Sequence, residues 1–500
     1  MSHWTALEQA DTEGLFQLPS GRRRRVVVLL LVAALVLALG GWGIATVVRA
    51  CGGLGSGVTS VGGECVGVSD SFVFDEDEYA GVMSRITAEN ASIGQGSAVT
   101  VAVLGSFTTD DTSAVSKAEM RRQLAGAYVA QRRHNTSGTG VRMKLVVANW
   151  GSHEQEWSRV VDGLVERVDD EDPLVAVTGM GVSVTQTRDA ARRLSQAGIP
   201  MVGTITTADE LTAVDGYFRV SPPNREYVSS LRSYVQRTKG LKRAVLMADQ
   251  GPASNDLFTA NLAEDMRTAF AREIGLTPII QFTGTQDPQG VQPNSFAVKA
   301  VEACRDDNDL LLYAGRSNDL AQLLNILVER CGHRKLTVMT GGSDDLGRFR
   351  DLSADLAAAN ITLVYASGAD AVGWLAGQDT PAAFGDFHKY FADAGLGDDT
   401  ELDDGAVMSA HDSVRVVSTA LELALEEGVT PGENTRHDVM QAMSSLNGDF
   451  EVQGATGDFS FQVRPPATGD PVGKPVPVVS IPQARQQGPT YRTEPGLIRR

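Results

Sequence analysis

Buried strands that alternate with amphipathic helices are the feature that most constrains the fold of this chain. From Val99 onward, apolar runs of five to eight residues alternate with segments of helical spacing. Such runs are typical of parallel strands covered on both faces. They form two series, "VTVAVLGS", "MKLVVAN", "LVAVTG" and "IPMVGT", then "RAVLMAD", "TPIIQF", "DLLLYAG", "LTVMTGG" and "ITLVYASG". The pattern predicts two doubly wound α/β lobes.

The composition indicates a folded chain and excludes one class of partner. The 500 residues are 42% hydrophobic and 21% charged, which allows a sizeable core. The formal net charge is -18. Binding to a nucleic-acid backbone requires clustered lysine and arginine, so we expect no nucleic-acid partner.

A long apolar segment lies near the N-terminus. Residues 26–48 carry no charge over 23 positions, and about 20 apolar residues suffice to cross a bilayer. Residues 22–25 are all arginine and only Arg49 follows the segment, so residues 1–25 are expected in the cytoplasm and the rest outside. We predict a single-pass membrane protein with an extracytoplasmic domain. Lipidation at Cys51 is the alternative, although Arg49 departs from the usual processing site.

Three further segments flank the two lobes. Residues 49–63 are rich in glycine and serine, which predicts a flexible linker. Residues 64–98 predict a small strand and helix, because the acidic residues 75–78 suit the first turn of a helix. Residues 483–500 are polar and contain proline, which predicts a disordered tail.

Four cysteines suit an oxidising compartment, where disulfides persist. The simplest pairs are Cys51 with Cys65 and Cys304 with Cys331, and free buried thiols are the alternative for the second pair. Neither a CxxC pair nor a histidine cluster accompanies them, so the sequence predicts no metal site and no cofactor.

The sequence carries no convincing catalytic motif. His411, Asp412 and Ser413 are adjacent, but neighbouring residues on a helix point in different directions and cannot form a triad. Neither GxSxG nor HExxH is present. We therefore predict a binding protein rather than an enzyme.

Polar residues follow most of the predicted strands. In doubly wound sheets ligands bind beyond the carboxyl ends of the strands, where loops and helix N-termini converge. The candidate ligand-binding residues at these ends are Trp150, Ser183, Thr206, Thr207, Asp249, Arg316 and Asp344. Thr207 could equally cap the helix that follows it.

Four segments resemble those of the type I periplasmic binding proteins, specifically the leucine/isoleucine/valine-binding-protein-like solute receptors. They are "LAGAYVAQRRHN" with Gly126 and Asn135, "GVSVTQ" with "GIPMVGTITTADEL", "YFRVSPPNREY", and "GAVMSAHDSVRVVSTALELA". The similarity extends from about Val99 to Ile481. It implies two lobes that close on a ligand by hinge motion.

The resemblance also implies the division of the chain. Crossovers are expected near Arg219, Ala366 and Glu451. Lobe 1 would comprise residues 99–219 and 366–451, and lobe 2 residues 220–365 and 452–482.

In amino-acid-binding members of the family, the loops that correspond to Ser183 and to Thr206 and Thr207 hold the ligand's α-carboxylate and ammonium groups. This chain departs from the family in lobe 2. No aromatic residue stands near Ala253, Arg316 replaces an aromatic residue, and Gly342 replaces the acid that receives the ammonium group. Arg316 could hold a carboxylate or phosphate bidentately, or pair with Asp319.

The sequence therefore predicts a membrane-tethered solute-binding protein that closes on a small polar ligand, either amino-acid-like or a small organic anion. Its partner would be the permease of an ABC-type importer. The alternative is a receptor ectodomain that senses a ligand or partner and has no transport role.

Overall fold

The computed structural model describes residues 30–32, 51–53, 55–137, 140–250, 255–284, 295–304, 308–331, 334–342, 349–425, 430–432, 434–448, 450–462, 468–482 and 490–495. The predicted membrane span, residues 26–48, lies outside this part of the chain except for a helical turn at 30–32. Within the described residues, no helix combines the length and the hydrophobicity needed to cross a bilayer.

The first part of the chain forms one side of a large sheet. In chain order its elements are β1 (Val58–Val61), β2 (Glu64–Ser69), α1 (Glu76–Ala91), β3 (Ala98–Gly105), α2 (Lys117–Thr136), β4 (Arg142–Asn149), α3 (Trp157–Glu166), β5 (Leu174–Gly179), α4 (Thr185–Gln196), β6 (Met201–Gly203) and β7 (Tyr217–Arg219). Two short 3₁₀ helices lie within this part of the chain, Arg167–Asp169 after α3 and Asp209–Ala213 between β6 and β7.

The middle of the chain forms the second lobe. Its elements are α5 (Asn224–Arg237), β8 (Ala244–Asp249), α6 (Leu257–Ala269), α7 (Ala271–Ile274), β9 (Ile280–Phe282), α8 (Ser295–Glu302), β10 (Leu310–Ala314), α9 (Ser317–Arg330), β11 (Leu336–Gly341), α10 (Ser353–Ala358) and β12 (Ile361–Ala366).

The chain then returns to the first lobe and ends with short strands. These elements are α11 (Ala371–Leu375), α12 (Phe384–Ala394), a 3₁₀ helix (Asp399–Leu402), α13 (Ala406–Ala424), α14 (Thr435–Ser444), β13 (Ser460–Gln462), β14 (Thr468–Val472), β15 (Pro475–Val476), β16 (Val478–Ile481) and β17 (Tyr491–Arg492).

Two separate sheets define the two lobes. The lobe 1 sheet has the order β1-β2-β4-β3-β5-β6-β7-β14-β13, and β4, β3, β5, β6 and β7 run parallel. The lobe 2 sheet has the order β16-β12-β11-β10-β8-β9 and is parallel except at β16. The prediction of two α/β lobes with parallel sheets is confirmed.

Close helix packing explains one glycine in lobe 1. A Cβ atom at Gly126 of α2 would collide with the backbone carbonyl of Val407 in α13. Glycine therefore lets these two helices approach each other closely across the lobe 1 core.

The predicted flexible linker is not a flexible coil over its described part. Residues Val58–Val61 form β1, which pairs antiparallel with β2, and the turn between them is Gly62-Gly63 with φ of 60° and 93°. Two residues with positive φ suit a tight hairpin turn, because the twist of such a turn matches that of the strands.

A disulfide joins Cys51 to Cys65, with a Cα–Cα distance of 5.4 Å. The second disulfide joins Cys304 to Cys331 in lobe 2.

The third crossover lies later than the predicted position near Glu451. Strands β13 and β14 belong to the lobe 1 sheet, where β14 pairs with β7. Phe459 and Phe461 pack in the lobe 1 core, which retains this segment. The chain reaches lobe 2 at β15, where Val476 packs in the lobe 2 core, so residues 452–462 and 468–472 lie with lobe 1 and not, as expected, with lobe 2.

Candidate functional site

The two lobes meet at the carboxyl end of β5. The carbonyl of Ser183 in lobe 1 accepts hydrogen bonds from the backbone N–H groups of Leu257 (3.1 Å) and Phe258 (3.2 Å), at the start of α6 in lobe 2. The N–H of Thr185 donates to the carbonyl of Asn255 at 3.0 Å. Backbone groups at this point therefore join the two lobes directly.

The two predicted ligand loops of lobe 1 are adjacent in the structure. The hydroxyl oxygen of Ser183 accepts hydrogen bonds from the N–H groups of Thr207 (2.9 Å) and Ala208 (3.1 Å). Ser183 and Thr207 are both buried. The structure thus brings Ser183 and Thr207 together, and it uses the Ser183 hydroxyl to hold the neighbouring loop.

Thr206 also has a partner within the protein. Its hydroxyl and that of Tyr217 are 2.7 Å apart. Burial raises the pKa of Tyr217 to about 12, so the phenol remains a neutral hydrogen-bonding group. The Thr206 side chain is fully buried and points towards the lobe interior.

A buried arginine fixes the loop that contains Thr206 and Thr207. Arg219 Nη1 donates to the carbonyl of Ala208 at 2.7 Å, and its Nε donates to Asp470 Oδ1 at 2.7 Å. Arg219 and Arg225 hold the pKa of Asp470 below its usual value, although burial acts in the opposite direction. The hydroxyl-rich turn after β6 is therefore positioned by an ion pair with β14.

Trp150 lies beneath the cleft. Its side chain is fully buried, and Nε1 donates to Ser106 Oγ at 3.0 Å. The same Ser106 hydroxyl donates to Glu154 Oε1 at 3.0 Å. Trp150 thus holds the Ser106 side chain, just beyond the carboxyl end of β3, from the interior of lobe 1.

Glu154 is a buried acid that faces lobe 2. Its side chain lies near Arg316 and Asp256, and burial raises its pKa to about 7. Its backbone has a φ of 57°, a left-handed conformation that is uncommon for glutamate. Backbone strain of this kind concentrates at functional sites, so Glu154 joins the candidate site.

Arg316 forms the charged wall of lobe 2 at the cleft. Its guanidinium binds Asp256 through two hydrogen bonds, Nε to Oδ2 at 2.9 Å and Nη2 to Oδ1 at 2.8 Å. It also lies 4.7 Å from the centre of the Phe258 ring. Arg316 therefore binds a carboxylate bidentately, as the sequence allowed. That carboxylate belongs to Asp256 and not to Asp319.

The remaining lobe 2 candidates follow the strand ends. Asp249 Oδ1 accepts a hydrogen bond from the N–H of Gly284 at 2.9 Å. A Cβ at Gly284 would lie 2.6 Å from Asp249 Oδ2 and 2.5 Å from Asp319 Oδ2, so both carboxylates converge on this glycine. Asp344 lies outside the described residues.

Sequence reasoning missed three residues of this site: Glu154, Asp256 and Phe258. Asp256 had a readable signal, because an aspartate before an apolar helical segment is a typical N-cap, and it does accept from Phe258 N and Thr259 N. Glu154 had no such signal, since the charged groups near it, Arg316 and Asp256, belong to lobe 2. Among the described residues, no group of three or more His, Cys, Asp or Glu side chains could hold a metal ion.

Two α/β lobes and a polar contact zone at the carboxyl ends of their strands define the type I periplasmic-binding-protein fold. Solved structures of that fold confirm the predicted resemblance. The leucine-binding protein LivK of Thermotoga maritima matches with a TM-score of 0.56 and 16% identity, over 79% of this chain and 97% of that one. No protein-family model matches the sequence, and no curated protein sequence matches it significantly.

Two further structures carry bound ligands. The branched-chain amino acid binding protein LivJ of Streptococcus pneumoniae, in complex with isoleucine, matches with a TM-score of 0.55 and 17% identity, over 80% of this chain and 100% of that one. A solute-binding protein of Rhodopseudomonas palustris in complex with p-hydroxybenzoic acid matches with a TM-score of 0.57 and 13% identity, over 80% and 98%. At these identities the likeness concerns the fold.

Proposed function

We propose that this chain is an extracytoplasmic solute-binding protein without catalytic activity, which closes its lobes on a small polar ligand and delivers it to an ABC-type importer. The observation that carries the proposal is the contact of the lobes at Ser183 and Phe258, beside Arg316 and Glu154. This is the place where a doubly wound fold binds its ligand. Neighbouring folds that hold an amino acid and a benzoate support the ligand size.

The guanidinium of Arg316 provides the cleft with a bidentate donor that suits a ligand carboxylate. The hydroxyls of Ser183 and Thr206 are already engaged within lobe 1. Arg316 is a bidentate donor whose present partner, Asp256, lies at the lobe contact. A ligand carboxylate could replace Asp256 on the Arg316 guanidinium, since the fork geometry fits either group. We therefore favour a small organic anion over an amino acid held in the manner of the family.

We further propose that residues 26–48 tether the domain to the membrane. Cys51 is buried and bonded to Cys65, so its thiol is not available for lipidation and the alternative anchor is disfavoured. Only Arg49 and Ala50 separate the proposed span from Cys51. Two residues reach roughly 7 Å, so lobe 1 would be held close to the bilayer.

The second candidate function is a sensory ectodomain. Two observations favour it: the lobes are joined by the protein's own backbone hydrogen bonds, and the tether is short. A domain held next to the membrane is suited to report its state to a neighbouring membrane protein.

A thermal-shift screen of the full chain in detergent tests the proposed function. Amino acids, small organic anions and sugars would be added separately. A ligand at ~100 times its Kd should stabilise the fold by about 2.7 kcal/mol. Arg316→Met should abolish the shift. Arg267→Met, an exposed arginine on the same lobe, should retain it.

The outcomes separate the candidates. A shift by a carboxylate that needs Arg316 supports the solute-binding proposal, and uptake of that solute by membranes with the matching permease supports import. A screen without any shift contradicts ligand closure and favours the sensory ectodomain.

A further inference from the structure

A second group of cations lies in lobe 1, away from the cleft. Helix α2 starts beyond the carboxyl end of β3 and runs back, so its last turns lie near the amino ends of the parallel strands. Asn135, for example, bonds to Met143 at the start of β4. Residues on the last turns of α2 therefore lie at the end of the sheet opposite the ligand cleft.

A cavity of about 450 Å³ opens between the last turns of α2 and helix α12. Its walls are Arg132, Arg133 and Thr136 of α2, and Asp386, Lys389, Tyr390 and Asp393 of α12. The Arg133 guanidinium lies 5.7 Å from the centre of the Tyr390 ring. The cavity is thus lined by three cationic side chains, two aspartates and one aromatic face.

The cationic side chains of this cavity outnumber its two carboxylates, Asp386 and Asp393, by one. Among the ion pairs of the described residues, none includes Arg133 or Lys389. A third helix, α13, places Arg415 close enough that burial and the Arg133 charge lower the pKa of Arg415. Glu422 lies 3.5 Å from Arg415 and also faces His134.

Two guanidinium nitrogens at this junction have no hydrogen-bond partner. Arg133 Nη1 and Arg415 Nε are buried and unpaired in the described structure. A buried N–H of a charged group without an acceptor is costly, so such groups are normally paired with protein, water or an anion. Four cationic side chains, Arg415 included, face three carboxylates, Glu422 included, and this excess of one positive charge favours an anion.

We propose that the cavity between α2 and α12 binds a phosphate-type oxyanion, with Arg133 and Lys389 as its direct ligands and Arg415 as a supporting charge behind them. Arginine forks match the geometry of phosphate oxygens, and lysine supplies a point charge. The site is separate from the ligand cleft and does not depend on the solute-binding proposal.

Calorimetric titration of the full chain in detergent with inorganic phosphate, in a chloride buffer of matched ionic strength, tests this site. Saturable binding with a Kd of about 1 mM or tighter is expected. Arg133→Met should weaken it by about tenfold or more, because a charge-assisted hydrogen bond is lost. The matched control is Arg159→Met on α3, whose side chain is 60% exposed; it should keep the wild-type affinity.

A second variant, Lys389→Met, tests whether weaker phosphate binding in Arg133→Met comes only from a disturbed fold. Lys389 is exposed on α12, so Lys389→Met should fold normally and still bind phosphate more weakly. Arg316→Met should leave phosphate binding unchanged, which separates this site from the cleft. Absence of saturable binding, or equal phosphate affinity in the wild type and Lys389→Met, would overturn the proposal.

Discussion

At the scale of single residues, Arg219 has the clearest structural role. It links Asp470 of β14 to the turn that contains Thr206 and Thr207, and it is fully buried. Removing one partner of a buried ion pair typically costs about 3–5 kcal/mol, because the other charge stays buried. We expect Arg219→Met to lower the free energy of unfolding by this amount in urea titrations.

Arg225→Met is the matched control for Arg219→Met. Arg225 binds the same carboxylate at 2.6 Å, but its side chain is 27% exposed. The loss of stability should therefore be clearly smaller. Equal losses in the two variants would contradict the role assigned to the buried guanidinium.

Glu154 should make stability depend on pH. Burial raises its pKa to about 7, against an ordinary value of 4.5, so the folded state holds the proton more tightly than the unfolded state. Its contribution is then full below about pH 4.5 and is lost as the pH rises through 7, by about 3 kcal/mol at most.

Glu154→Gln should remove this contribution. The stability of the wild type relative to the variant should fall as the pH rises from 5 to 8, measured as the difference in unfolding free energy between the two proteins. His134 and His411 have lowered pKa values from burial and act with the opposite sign in both proteins, so they cancel in that difference. Parallel pH profiles would show that Glu154 ionises normally.

At the scale of elements, the backbone at the end of β5 and in the turn after it is strongly constrained. Gly179, Met180 and Gly181 have φ values of 87°, 62° and 54°, and a Cβ on Gly181 would collide with the Trp150 ring. Gly181→Ala should therefore lose about 1–2 kcal/mol from its left-handed backbone and a further 1–3 kcal/mol from overpacking.

Gly62→Ala isolates the backbone part of that loss. Gly62 has a similar φ of 60°, and a Cβ there would meet no atom within 4 Å. Thermal and urea unfolding of both variants should show the larger loss for Gly181→Ala. A similar loss of unfolding free energy in both variants would mean that the Trp150 ring shifts to make room for the new methyl group.

The elements differ in how well the sequence predicts them. Buried parallel strands are readable, because both faces need apolar residues, and the two lobes follow from that pattern. Strand β1 and its pairing with β2 were missed because the glycines that form the turn resemble a linker. The role of Thr206 was not readable, since its partner Tyr217 and the supporting Asp470 come from other strands. Pairings of this kind depend on the folded topology and leave no local signal.

At the scale of the whole molecule, the disulfide at Cys51 determines how the domain would sit on a membrane. It ties the chain to the start of β2 directly after the proposed span, so the hairpin β1–β2 should lie nearer the bilayer than lobe 2 does. A fluorescent unnatural amino acid at Ser60, which is exposed on β1, should be quenched by nitroxide lipids in proteoliposomes. The same probe at Leu276, exposed in lobe 2, should be quenched less.

The double variant Cys51→Ser, Cys65→Ser tests whether the short tether causes this orientation. Without the disulfide, the chain between the span and the hairpin gains the length of residues 51–57, roughly 25 Å when extended. Quenching at Ser60 should fall towards the value at Leu276, while circular dichroism should report an intact fold. Equal quenching at both positions in the wild type would show that the domain rotates freely above the membrane, and the short tether would then lose its support for the sensory alternative.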